Sequence, residues 1–102
     1  MSWRSAFVYF FFSPLGDIHA VKIGWSMDPR VRLREIQSYC PAQVWLQAVV
    51  TCESNTGDEK RKARELERHL HKKFSGARIH GEWFALTVDM NDYLKLCGEP
   101  MR

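Results

Sequence analysis

The sequence predicts an α+β domain: a small three-stranded antiparallel sheet flanked by helices, in the order β-β-α-β-α, followed by a short C-terminal strand and helix. Three observations carry this. An aromatic run at 6–12 and a second apolar run at 18–25 are separated by turn residues. Two later segments, opening at Asp28 and Asp58, show helical spacing. A further apolar run lies between them at 43–52.

The first strand, "AFVYFFF", is rich in Val and aromatic residues, which suit a pleated, buried surface. "SPLGD" at 13–17 supplies turn chemistry, so "IHAVKIGW" at 18–25 is expected to return as the second strand of a hairpin with a loop of several residues. Asp28 then Pro29 is a helix start, an N-cap acceptor followed by proline at the first helical position. That helix is expected to run to Tyr39, before Pro41, with Val31, Leu33 and Ile36 as its apolar positions. The third strand, 43–52, should place Val44, Leu46, Ala48 and Val50 on one face. The longest helix, 58–75, repeats Ala63, Leu66, Leu70 and Phe74 at core spacing. "SGARIHG" reads as an irregular connection and "EWFAL" at 82–86 as a short extended segment. The last helix, 89–97, turns Met90, Tyr93, Leu94 and Cys97 inward.

At 102 residues the chain is expected to form a single domain, residues 1–102, with one core. A hydrophobic content of 45% argues against disorder. Three cysteines, widely spaced and without a CxxC pair, resemble neither a disulfide framework nor a zinc ribbon. The histidines give no zinc spacing, since His69 and His71 lie two apart on a helix. The seven-residue run "AFVYFFF" is far short of the ~20 residues a membrane helix needs. It also lacks the cleavage pattern of a signal peptide. A cytoplasmic protein is expected, or a nuclear one in a eukaryotic host.

The formal charge of +3 names no partner by itself, but its clustering does more. Residues 58–73 hold seven Lys or Arg against four Asp or Glu, and residues 30–34 hold three arginines. Two basic helices in so small a domain suit a polyanion.

Four residues stand out within this frame. Tyr9 lies mid-strand on the face of Phe7 and Phe11. Lys22 interrupts the second strand, and pairing of the two strands would bring it near Tyr9. Arg32 lies one turn before Ile36, whereas Arg30 and Arg34 diverge from it by ~200°. It is either a core-edge arginine or one aimed along the sheet. Glu67 sits at the rim of the long helix's buried stripe, and spacing alone also allows it to pair with His71 one turn on.

"FVYFFF", "VKIGWSMDPRVRL", "LERHLHKKF" and "GEWFAL", in this order, resemble the GIY-YIG nuclease superfamily. The likeness is to its small phage-associated branch with KIG in place of YIG, often described only as a DNA-binding domain. It covers residues 6 to about 88. The resemblance implies that Tyr9, Lys22, Arg32 and Glu67 are catalytic. Glu67 would hold Mg²⁺ or Mn²⁺, Arg32 would brace the phosphate, and Tyr9 or Lys22 would take a proton from the attacking water. Either base would need a lowered pKa, which a nearby cation cluster is expected to provide. Arg30, Arg34, Arg64, His71, Lys72 and Arg78 are expected to contact nucleic acid, with Ser26, Glu82 and Trp83 as accessory residues. The chain departs from the superfamily at its first motif, FVY for GIY, and Glu82 or Trp83 stands where many members carry an asparagine.

The implied activity is metal-dependent DNA endonuclease or nickase chemistry on duplex or branched DNA. The alternative is a nucleic-acid-binding module that uses the same basic surface without turnover. A third is a protein-interaction domain. So small a surface leaves little room for base readout, so targeting is expected from a partner or from homo-oligomerisation.

Overall fold

In the computed structural model, which describes residues 2–101, the first two strands form a long hairpin at the centre of the sheet. Strand β1 spans Arg4–Leu15 and β2 spans Ile18–Ser26. Both run further than the apolar runs alone predict. Only Gly16 and Asp17 form the loop, with Leu15 paired to Ile18. Gly16 has a φ of +59°, the positive value that a tight primed turn requires at its first loop position. Pro14 is tolerated in β1 because pairing with the strand on the other side ends at Phe12, leaving Pro14 beyond that ladder.

Helix α1, Pro29–Tyr39, starts as expected: the Asp28 carboxylate accepts from the Arg30 and Val31 amides at 3.2 and 3.4 Å. Val31, one of the three apolar positions, is 39% exposed. The buried row is instead Pro29 and Ile36, with Leu33 and Cys40 packed beside it. Gln37 fastens the helix end to the next strand. Its amide donates to the carbonyls of Cys40 (3.1 Å) and Ala42 (2.9 Å), and its side-chain oxygen accepts from Val44 N–H (2.7 Å).

Strand β3, Trp45–Ser54, pairs antiparallel with β1, but a bulge opposite Phe10 and Phe11 skips Gln47. The bulge breaks the expected alternation. Val44, Leu46 and Val49 join the layer under α1, whereas Val50 and Cys52 join the opposite layer.

Helix α2, Glu59–Lys73, buries Ala63 and Leu70 against the sheet, with Leu66 half-buried and Phe74 just past its end. The stretch 75–81, expected to be irregular, is a 3₁₀ turn at Ser75–Ala77 followed by a short strand, β4, Arg78–His80. Strand β5, Trp83–Ala85, pairs with both β4 and β2. The three-stranded expectation is therefore corrected to a five-stranded sheet, ordered β3-β1-β2-β5-β4. The expected short C-terminal strand is β5, whereas β4, three residues long, lacks the length to show a period-2 pattern and is not revealed by sequence spacing. Helix α3, Val88–Cys97, is capped by Thr87 and buries Met90. Cys97, expected on its inner face, is exposed.

Two apolar layers result. Ala6, Val8, Phe10 and Phe12 point to α2 and α3, while Phe7, Tyr9 and Phe11 point to α1. No helix among the described residues is long and apolar enough to cross a membrane.

Candidate active site at an opening in the sheet

The site forms where β5 leaves β2. The two strands pair from Ala20 to Lys22, and Ile23 N–H then donates to the Glu82 carbonyl at 3.0 Å. Beyond that point β2 has no strand neighbour on this side among the described residues, so its polar groups need other partners. Helix α2 supplies them. His71 Nε2 lies 2.7 Å from the Ile23 carbonyl, and the Trp25 N–H is directed at the Glu67 carboxylate. A carbonyl only accepts, so His71 carries a proton on Nε2. Glu67 and His71 are one helical turn apart, with Glu67 Oε1 3.9 Å from His71 Nε2. The i,i+4 pairing allowed by spacing is therefore present, and both side chains also serve the sheet edge.

Glu82 closes the opening from the other side. The ligand atoms of Glu67, His71 and Glu82 all lie within 4.8 Å of one another, close enough to hold one metal ion. Burial raises the Glu67 pKa, and the neighbouring Glu82 carboxylate raises it further; His71, the Trp25 N–H and Lys22 oppose that rise.

The opposite layer contributes Tyr9, Lys22 and Arg32. Tyr9 pairs with Gly24 and Phe11 with Lys22, so Tyr9 and Lys22 share one face as diagonal neighbours. A Cβ at position 24 would overlap the Tyr9 ring and hydroxyl. The glycine of "KIG" is thus the space the phenol occupies. The Tyr9 ring also stacks on Phe11, with centroids 4.0 Å apart. Lys22 Nζ lies 3.0 Å from Glu82 Oε1 and 5.6 Å from the centre of the Trp83 ring.

Arg32 lies beside Tyr9 at the start of α1. Its guanidinium meets the Tyr9 hydroxyl and donates to Glu35 at 3.0 Å. The Tyr9 contact raises the already high Arg32 pKa. The phenol itself behaves opposite to expectation. Burial pushes the Tyr9 pKa up to about 12, and Glu82 adds to the rise, while Arg32 lowers it only in part. A cation beside Tyr9 does not offset the loss of water around a phenol that is 2% exposed.

The residues expected to bind nucleic acid divide. Arg64, Lys72, His71 and Arg78 line a groove of about 520 Å³ beside Glu67. Arg30 instead donates to the Met101 carbonyl at 2.9 Å, and Arg34 is exposed on that helix, away from the groove lining. Ser26 accepts from the Asp28 amide at 2.9 Å and shapes the turn into α1. Glu82 and Trp83 both reach Lys22. Sequence reasoning missed Trp25, Arg68 and Ser75, which also line the groove. The signal was available for two of them: Arg64, Arg68, Lys72 and Ser75 follow helical spacing of four, four and three.

The fold and site define an antiparallel α+β domain in which Glu67, His71 and Glu82 gather at an opening in the sheet and Glu82 pairs with Lys22, beside Tyr9 and Arg32. The sequence profile of the T5orf172 domain matches residues 6–97, and the chain belongs to this phage-associated family. No curated protein and no solved structure matches the chain.

Proposed function

We propose that this domain is a divalent-metal-dependent DNA endonuclease or nickase of the GIY-YIG type. The observation that carries this reading is the gathering of Tyr9, Lys22, Arg32, Glu67 and Glu82 about one opening in the sheet, with cations and carboxylates drawn from β2, α1, α2 and the β4–β5 turn. A module that only bound phosphate would gain nothing from two carboxylates there, because they repel it unless a cation intervenes.

The donors suit a hard ion. Two oxygens on opposite sides of a divalent cation at 2.0–2.4 Å stand about 4–5 Å apart, and the ligand atoms of Glu67 and Glu82, within 4.8 Å of each other, lie close enough to share one ion. His71 Nε2 is committed to the Ile23 carbonyl, which leaves the carboxylates as the principal donors for Mg²⁺ or Mn²⁺. When bound, the cation supplies Lewis-acid stabilisation of phosphate oxygens.

The chain's own groups do the rest. Glu67 lies with the Trp25 amide directed at it and His71 Nε2 3.9 Å away, at the edge of the opening. Arg32, braced by Glu35 and Tyr9, offers its fork to the attacked phosphate as negative charge accumulates. Lys22 adds a second positive charge on the same face. Tyr9, with its pKa at about 12, keeps its proton at neutral pH. In the metal-free protein it therefore positions Arg32, and Lys22, ion-paired with Glu82 at 3.0 Å, serves the phosphate as a cation.

Plasmid nicking with Mg²⁺ or Mn²⁺ tests this, comparing the native chain with Glu67→Ala and Arg32→Ala. Both variants should lose at least a hundred-fold in rate. Equal cleavage by all three would sink the nuclease reading. Absent cleavage with DNA binding intact would favour the binding module.

A further inference from the structure

The groove beside the sheet opening shares Glu67 and His71 with it, but the rest of its lining takes no part in the proposed hydrolysis. One row of α2 forms its wall, with Arg64, Arg68 and Lys72 on successive turns. Arg78 of β4 faces them and Trp25 of β2 contributes an aromatic surface.

The ion pairing of α2 differs from one face to the other. Outside the groove, Arg61 pairs with Asp58 (2.6 Å) and Glu65 (3.0 Å), and Lys62 lies 4.0 Å from Asp58. Among the described residues, no carboxylate lies within 4.0 Å of Arg64, Arg68, Lys72 or Arg78. Four unneutralised cations therefore surround a space whose lining includes one carboxylate, Glu67. Two of the four sit over rings: the Arg64 guanidinium carbon is 6.0 Å from the Trp25 centroid, and that of Arg78 is 5.1 Å from Phe84. Trp25 is half-buried, packing against the core and also lining the groove.

A groove for a paired backbone needs cations but no aromatic surface. Basic grooves with stacking platforms suit single strands, whose bases lie on aromatic rings or guanidinium planes while Lys and Arg track the phosphates. We infer that this groove takes an unpaired stretch of DNA, with a base on the Trp25–Arg64 platform and adjoining phosphates on Arg68, Lys72 and Arg78. The preferred substrate is then DNA with a single-stranded segment next to the cleaved bond, rather than uninterrupted duplex. Stacking accepts any base, so this selects structure and not sequence. The inference deepens the nuclease reading and rests on it for the position of the cleaved bond; the groove's binding does not depend on turnover.

The test is fluorescence anisotropy in EDTA, comparing a labelled blunt duplex with the same duplex carrying a ten-nucleotide single-stranded extension. The extended DNA should bind at least ten-fold more tightly, and 2-aminopurine in the extension should be quenched on binding. In Trp25→Leu the two affinities should converge to within about two-fold. Equal affinity of the native chain for both DNAs, or an advantage kept by Trp25→Leu, would overturn the inference. Should Trp25→Leu fail to fold, unquenched 2-aminopurine with the native chain would overturn it instead. Metal-dependent cleavage without this preference removes the groove assignment alone, and the preference without cleavage removes the nuclease reading alone.

Discussion

Lys22 Nζ stands 3.0 Å from Glu82 Oε1, and the same carboxylate lies within 4.8 Å of the ligand atoms of Glu67 and His71. Glu82 therefore faces a cation on one side and a second carboxylate on the other. Under the proposed function it is shared between Lys22 and the metal. Glu82→Gln should weaken Mn²⁺ binding about ten-fold and Glu67→Gln should abolish it, read as free Mn²⁺ by electron paramagnetic resonance. Unchanged binding in both variants would remove these carboxylates as ligands.

Gly24 and Tyr9 should show strong coupling. Gly24→Ala forces a methyl group into the phenol and should cost about 1–3 kcal/mol, measured by urea unfolding. Tyr9→Leu removes the obstacle, so Gly24→Ala in that background should cost clearly less. Equal costs in both backgrounds would contradict the close approach.

Alkaline stability should depend on Tyr9. Its folded pKa, about 12, exceeds the ordinary value of 10, so unfolding favours proton release. The stabilisation from keeping the phenol neutral is complete below about pH 10 and is lost as pH rises toward 12. Tyr93 is raised to about 12 as well, also chiefly by burial, and contributes to the same limb. Urea unfolding between pH 8 and 11 should give a shallower decline for Tyr9→Phe than for the native chain. The nicking rate should show no inflection from Tyr9 between pH 6 and 9.

His71 and Lys72 are neighbours in sequence with different work to do. His71 satisfies the Ile23 carbonyl and packs 5.1 Å from the Phe84 ring, so His71→Ala should destabilise by about 1–3 kcal/mol. Lys72 faces the groove, so Lys72→Ala should leave stability nearly unchanged. It should also make the salt dependence of DNA binding shallower by about 0.7–0.9. A salt dependence altered by His71→Ala and not by Lys72→Ala would reverse these roles.

Much of the fold was legible because it is written in local pattern. The aromatic run around Tyr9, the Asp28–Pro29 helix start and the Ala63–Leu66–Leu70–Phe74 stripe each specify an element from its own residues. Others depend on partners. The β3 bulge at Gln47 is set by pairing with β1, and β4 is too short to declare itself without β5.

The same division holds for the site. By itself the sequence determined which chemistry was at hand: a tyrosine and a lysine on strands, an arginine one turn into a helix, a carboxylate at a helix rim, and the family likeness that joined them. Only the tertiary structure decided how groups on opposite sides of a sheet could meet. β5 leaves β2 at Ile23, and Glu67 and His71 fill the vacated edge because its backbone groups need partners. It also decided the protonation of Tyr9. Residue spacing shows the nearby Arg32 but not the loss of water, and for a buried phenol the loss of water is the larger effect.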